Sequence, residues 1–323
     1  MGKQKYSGLK MQYPVESPLV IIVGPTAVGK TDLSIRLAEE INAEIISADS
    51  RYLYRRMDIG TAKPNKYEMA EIKHHLIDVA AIENPWSLAV FKEKAFKIIK
   101  DIHSRGKIPL LVGGTGQYIR AIIEGWNVPE LLPNEQLRKI LFNFANEIGE
   151  QGVHRWLSIL DLKAAESIDY RNLRRTVRAL EVILSTGIRF SMLKNRSPID
   201  FQYKIIGLYR SREELFQRID FRIEEMIRKG FIDEVRGLIN SGYSLSNAPM
   251  SAIGYPEITQ YLHGDVGLLQ ALKDIKKRTR IFVRRQANWF KLNDKRIRWF
   301  EMKDNSLMRF ISFLEEKKEW ICE

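Results

Sequence analysis

The chain has 323 residues, is 45% hydrophobic and carries a formal net charge of +12. That length supports two domains, or one with a large insertion, and the charge, with a pI near 9.6, points to a polyanionic partner beyond any small anionic ligand. One cysteine, Cys322, excludes an internal disulfide framework, and no apolar run approaches the roughly 20 residues that cross a bilayer, so a cytoplasmic protein without membrane contact is expected.

Residues 1–17 read as a loose basic tail. They lack the apolar region of a signal peptide, and Tyr6 stands where N-myristoylation after Met1-Gly2 requires Ser or Thr. Residues 19–31, LVIIVGPTAVGKT, run from a β-branched strand signal into G-x-x-x-x-G-K-[ST], filled by Gly24, Gly29, Lys30 and Thr31. Glycines let successive amides turn inward around an anion, and the following helix adds its positive end. Lys30 supplies a mobile cation, and the Thr31 hydroxyl is placed to ligand magnesium. The Leu33/Leu37/Ile41 stripe gives that helix its period. The loop type is common to ATP- and other nucleotide-binding proteins, so a phosphate ester is the expected ligand.

Further buried-strand signals lie at 43–49 (AEIISAD) and 108–114 (IPLLVGG), with HHLIDV at 74–79 between them. A helix starting near Ser87 puts Leu88, Phe91, Ala95 and Ile98 on one face. This alternation predicts an α/β fold: a P-loop NTPase-like parallel sheet flanked by helices, with ligands beyond the carboxyl ends of the strands. From about 120 to 200 the strand signals stop. Trp126 to Pro133 reads as a linker punctuated by Pro129 and Pro133, and LRKILFNFANEI and Tyr170 to Ser185 are helical in period. YKIIGLY (203–209) restores a strand, and helices follow to about residue 291. The expected organisation is a tail at 1–17, a P-loop core at 18–122 and 200–323, and an inserted all-helical subdomain at 123–199.

Asp49, closing the second strand, has three readings: magnesium ligand, general base or cap. The third strand ends in Gly113-Gly114-Thr115 where an ordinary ATPase or GTPase carries a metal-binding Asp. Those glycines suit either a ligand's close approach or a tight turn. Residues 57–64, MDIGTAKP, read by composition only as a turn. His74 and His75 lack companions at metal spacing, so local packing is expected of them. Arg171, Arg174, Arg175 and Arg178 crowd one helix of the insertion, with Glu181 as near counter-charge. Near the end, Leu268, Leu272, Ile275, Phe282 and Trp289 form an apolar stripe beside a basic one of Lys273, Lys277, Arg280, Arg284 and Lys291. Each basic helix is either a solvated face or half of a nucleic-acid clamp.

Together, GPTAVGKT, IISADSRYLYRRMDIGTAKP, HHLIDV, LLVGGTGQYIRA, RRTVRALEV, RIDFRIEEMI, SAIGYPEI and VRRQANWF resemble the tRNA dimethylallyltransferases (isopentenyl-diphosphate:tRNA transferases). They span residue 24 to about 291. The resemblance implies prenyl transfer from dimethylallyl diphosphate to the N6 amine of the adenosine 3′-adjacent to the anticodon. Gly24, Pro25, Thr26, Ala27, Val28, Gly29, Lys30 and Thr31 would hold the diphosphate, with magnesium at Thr31. Asp49 matches the family's general base, Arg222 an arginine reaching the diphosphate, and Thr115 a hydroxyl of the reaction channel; Lys30 completes the catalytic set. The anticodon stem-loop would meet Asp49, Ser50, Arg51, Tyr52, Thr115 and Arg138, and the run Arg174, Arg175, Thr176, Val177 and Arg178. It would also meet Ser251, Ala252, Ile253, Gly254, Tyr255 and Pro256, then Arg284, Arg285, Gln286, Trp289 and Lys291. A monomer is expected. The chain departs from the family at Asn172-Leu173, where relatives carry Asp-Pro ahead of the arginine pair, and at Pro256, where a basic residue is usual. A small-molecule kinase using the same loop for ATP, or a nucleotide-gated RNA-binding protein, are the competing readings.

Overall fold

The computed structural model describes residues 18–128, 134–194, 196–303, 306–316 and 321. The expected tail at 1–17, the linker prolines Pro129 and Pro133, and Cys322 lie outside them. The described chain forms two compact units, one comprising residues up to Trp86, Phe91–Ile123 and Ile199 onward, the other Ser87–Val90 and Glu124–Pro198.

In chain order the elements are β1 (Pro18–Val23), α1 (Lys30–Glu40), β2 (Ala43–Ser47), α2 (Lys66–Glu71), β3 (His74–His75), α3 (Leu88–Ser104), β4 (Ile108–Gly113) and α4 (Gly116–Ile123). The helices α5 (Glu135–Leu160), α6 (Leu162–Ser167) and α7 (Leu173–Thr186) follow. Then come β5 (Gln202–Tyr209), α8 (Arg212–Arg228), α9 (Phe231–Asn240), α10 (Tyr255–His263), α11 (Leu268–Trp289), β6 (Ile297–Glu301) and α12 (Ser306–Glu315).

All six strands are parallel neighbours in the order β3-β2-β4-β1-β5-β6. Continuous apolar runs make this possible, since a strand covered by helices on both faces needs no polar side; Leu19 to Val23 of β1 are fully buried. The register aligns the strand ends. Val23 pairs with Gly113 of β4 and Gly207 of β5, and Ser47 of β2 with Val112 of β4. The loops leaving β1, β2, β4 and β5 therefore open at one level of the sheet.

The sixth strand and α12 were not anticipated from the sequence. Their anchor is Lys204 on β5, fully buried, whose ammonium donates to the carbonyls of Phe313 and Glu316 and lies 4.5 Å from the Phe313 ring centre. A cation at the final carbonyls of α12 suits the negative end of a helix. One local expectation is also corrected. Phe282, assigned to the apolar stripe of α11, is exposed, while Ala271, Ile275 and Gln286 are buried there. His74 and His75 engage the Ile72 carbonyl (2.7 Å) and Glu44 (2.8 Å), as local packing requires, and no cluster of three acidic, histidine or cysteine side chains occurs among the described residues.

In the second unit, α5 breaks at Gly149, which takes a left-handed φ of 77°, and packs with α6 and α7 around Leu141, Val153, Leu157, Val177 and Leu180. Asn172 caps α7 by accepting from the Arg175 amide at 3.3 Å, so the departure from Asp-Pro keeps a cap. Thr176 and Val177 lie on the buried face of α7. They are corrected here from expected RNA contacts to core residues. Arg178 (2.7 Å) and Arg138 (3.0 Å) both bind the fully buried Glu181 carboxylate, which also accepts the Asn134 amide at 2.7 Å. Arg174 and Arg175 remain exposed.

Candidate active site

The loop after β1 is shaped by what its backbone must do. Gly24 has φ 151°, and a Cβ there would stand 2.7 Å from the Leu208 carbonyl of β5. Ala27 is left-handed at φ 64° and Gly29, the N-cap of α1, at φ 109°. Gly29 has no side chain to satisfy the first amides of α1, which are thus free to meet an anion. Lys30 curls back over the loop, its ammonium donating to the carbonyls of Gly24 (3.0 Å) and Pro25 (2.8 Å). Burial pulls its pKa down to about 8, opposed by the Asp49 carboxylate and reinforced by the Arg222 guanidinium. These three charges from β1–α1, the end of β2 and α8 therefore act on one another.

Three arginines meet the loop from one side. Arg222 donates to the Thr26 hydroxyl (3.2 Å) and the Thr61 carbonyl (3.0 Å), Arg218 to the Ala27 carbonyl (2.8 Å) and Arg210 to the Val28 carbonyl (2.9 Å). The sequence reading singled out only Arg222. Spacing was the missed signal: 218 and 222 lie one turn apart on α8, and 210 sits just before it.

Asp49 forms a turn in which its carboxylate accepts the Arg51 amide at 2.9 Å. One oxygen caps that turn and the group stays half-buried beside Lys30. The adjacent Ser50 amide donates to the Thr115 hydroxyl at 3.1 Å. Gly113 makes this junction possible, because a Cβ there would lie 2.2 Å from the Ala48 carbonyl. Arg51 reaches the carbonyls of Ala248 (3.3 Å) and Pro249 (3.2 Å) and the Ser251 hydroxyl (3.3 Å). The Tyr52 hydroxyl donates to the Ala62 carbonyl at 2.8 Å, and burial pushes its pKa up to about 12.

The MDIGTAKP segment is more than a turn. Glu234 of α9 accepts the amides of Asp58 (2.9 Å), Ile59 (2.7 Å) and Gly60 (3.0 Å), and the Tyr255 hydroxyl at 2.8 Å. Lys63 ties its other end to Asp58, Asp78 and the Tyr54 carbonyl. The loop thus presents the Thr61 carbonyl to Arg222 from a fixed frame.

Several expected RNA contacts are interior. Tyr255 is fully buried, Ala252 and Gly254 are buried, and half-buried Pro256 lies in the first turn of α10, where its missing amide leaves no hydrogen bond unmade. Gln286 is 4% exposed and spans two loops, accepting the Thr26 amide at 2.9 Å and donating to the Gly114 carbonyl at 3.1 Å. Trp289 fills the space left by Gly116, under Arg120, which donates to the Trp289 carbonyl at 3.1 Å. Thus Gly114 and Gly116 admit side chains of α11. Ser251, Arg284, Arg285 and Lys291 are exposed, and Ile253 is half-buried.

The IPP transferase family model matches residues 52–293. The chain belongs to the IPP transferase family. A tRNA dimethylallyltransferase of Dehalococcoides mccartyi is 40% identical over 292 residues, 90% of each chain. The crystal structure of a tRNA isopentenylpyrophosphate transferase from Bacillus halodurans superposes with a TM-score of 0.69 at 40% identity, covering 94% of this chain and 98% of that one. A eukaryotic dimethylallyltransferase captured acting on tRNA gives a TM-score of 0.78 at 27% identity, covering 94% and 81%. In this member of the IPP transferases the P-loop class of fold, the parallel sheet and the loops above it are all in place.

Proposed function

We propose that the chain transfers the dimethylallyl group of dimethylallyl diphosphate to the N6 amine of the adenosine 3′-adjacent to the anticodon of tRNA, releasing diphosphate. The observation that carries the reading is the mutual placement of Lys30, Asp49 and Arg222: two cations against the anion loop and one carboxylate beside them. An ATPase reading finds no carboxylate ending β4, which closes on Gly113-Gly114-Thr115.

The diphosphate lies on the loop 24–31, where amides, Lys30 and Arg222 oppose its charge. As the C–O bond to the allylic carbon breaks, its electron pair passes to the diphosphate, and charge grows where the donors already point. The adenine amine forms the new N–C bond. Its lone pair is delocalised into the ring, so loss of its proton to the Asp49 carboxylate favours the attack. Lys30, with a pKa near 8, is mostly protonated at neutral pH, and a bound dianion raises that value further. Thr115 holds the Asp49 turn through the Ser50 amide.

Magnesium belongs to the same reading. No three acidic, histidine or cysteine side chains converge among the described residues, and a magnesium ion would characteristically keep water and substrate phosphate oxygens as most of its ligands. Thr31 would hold it, and it would supply additional charge against the leaving group. The tRNA backbone would meet Arg284, Arg285 and Lys291 on α11, and Arg174 and Arg175 on α7, all exposed. No described helix is long and apolar enough to cross a membrane; a cytoplasmic location belongs to the same reading, supported by the tRNA substrate it names.

The test is incubation of the purified protein with isotope-labelled dimethylallyl diphosphate and an unmodified tRNA transcript. Label on the adenosine beside the anticodon supports the proposal. ATP-dependent phosphorylation of a small molecule, or RNA binding without turnover, contradicts it.

A further inference from the structure

The mechanism above leaves one buried polar side chain of the site without a task. Gln286 lies on the basic helix α11, next to exposed Arg284 and Arg285, yet only 4% of it is exposed. Its carbonyl oxygen accepts the Thr26 amide at 2.9 Å and its amide nitrogen donates to the Gly114 carbonyl at 3.1 Å. Thr26 belongs to the anion loop and is gripped through its hydroxyl by Arg222 at 3.2 Å. Gly114 precedes Thr115, whose hydroxyl accepts the Ser50 amide at 3.1 Å and so holds the turn that carries Asp49. A single carboxamide therefore stands between the loop assigned to the leaving group and the loop behind the base.

The contact is built rather than incidental. A Cβ at position 114 would lie 2.2 Å from the Gln286 amide nitrogen and 3.5 Å from the Gly24 carbonyl, so glycine is what lets the three segments meet. Two side chains one turn apart on α11 meet this loop, since a Cβ at position 116 would likewise lie 2.2 Å from the Trp289 ring. A carboxamide presents one donor face and one acceptor face, and here each meets its complement.

We infer that Gln286 is a positioning residue for prenyl transfer: its amide sets the spacing between the diphosphate loop and the Thr115 loop, and through them the placement of leaving group relative to Asp49. This rests on the functional reading above. The role is kinetic, because small misplacements at a reacting centre reduce turnover far more than they reduce folding.

The experiment compares wild type with Gln286→Met, Gln286→Glu, Gly114→Ala and the Gly114→Ala/Gln286→Met double variant. Gln286→Met, which keeps length but neither hydrogen bond, lowers kcat/KM for the donor by about tenfold or more while the KM for tRNA stays within about twofold. Gln286→Glu fails likewise at pH 8 and recovers as pH falls. Its protonated carboxyl then donates to Gly114 while still accepting from Thr26. Wild type shows no such gain. The double variant is no worse than the poorer single, since both remove one latch. A pyrophosphate-induced shift in Tm, read on every variant, separates this claim from the functional one. If wild type binds pyrophosphate but transfers nothing to RNA, the functional reading fails. If Gln286→Met keeps wild-type donor kinetics, or loses activity only in step with Tm, or if Gln286→Glu ignores pH, the positioning role is overturned.

Discussion

Replacing Lys30 by Met separates what the loop does for catalysis from what it costs the fold. The folded chain lowers the Lys30 pKa from 10.5 to about 8, chiefly by burial. At about 1.36 kcal/mol per unit this amounts to at most about 3 kcal/mol disfavouring the charged side chain in the fold at pH 7. Met keeps the unbranched stem and removes the charge, but forfeits hydrogen bonds to the Gly24 and Pro25 carbonyls at a net cost of about 1 kcal/mol each. The ligand-free variant is therefore more stable by about 1 kcal/mol, a rise in Tm of about 1–2 °C. Between pH 8 and 10.5 the unfolded wild type still holds the proton that the folded form has released. Wild-type stability accordingly rises with pH across that window, and the advantage of the variant fades. Differential scanning fluorimetry from pH 7 to 10, with and without pyrophosphate, reads both effects. The variant should also lose transfer activity and the pyrophosphate-induced stabilisation. A lower Tm at pH 7, or a pyrophosphate shift equal to that of wild type, refutes the reasoning.

Asp49→Ala lowers single-turnover transfer by about 10²–10⁴-fold with tRNA affinity little changed, and added formate restores part of the rate; equal loss of affinity and rate would reduce Asp49 to a cap for the Arg51 amide. Removing Arg174 and Arg175 together flattens the salt dependence of tRNA binding by about two phosphate contacts, at about 0.7–0.9 per contact, in filter-binding titrations. Arg178→Ala instead lowers stability by about 2 kcal/mol in denaturant unfolding, because it strips a partner from the buried Glu181 carboxylate. Glu234→Ala leaves the Asp58, Ile59 and Gly60 amides without their acceptor, costing about 3 kcal/mol or more, and raises the donor KM because the Thr61 carbonyl under Arg222 loses its frame.

What the sequence revealed follows from where local chemistry determines structure. Gly24, Gly29, Lys30 and Thr31 must be those residue types for a backbone to wrap an anion, and strands buried on both faces cannot hide their apolar runs. The missing carboxylate after β4 was equally legible. Partners far apart in sequence were not. Gln286 meets Thr26 across 260 positions, and nothing local in VRRQANWF separates a buried latch from a solvated amide. Glu234 meets Ile59 across 175 positions, so MDIGTAKP looked like a bare turn. In RRTVRAL the motif match took in Thr176 and Val177, although helical period alone places them on the inner face beside Leu180. Glu181 read as one counter-charge; its full burial and its link to Arg138 emerge only when α5 packs on α7. The strand β6 escaped because RIRWF alternates weakly with charge, and its pairing with β5 is long-range.

The central claim is that the loop at Gly24 releases pyrophosphate from a prenyl donor in the same event that alkylates adenine nitrogen. A single-turnover quench experiment with excess protein, measuring pyrophosphate and N6-prenylated adenosine from the same samples, tests it most directly. The account predicts that both appear at one rate and in equal amounts, and that neither forms when the acceptor adenosine is replaced by guanosine. Pyrophosphate released without a modified base, or a modified base formed with inorganic phosphate from ATP instead, would contradict it.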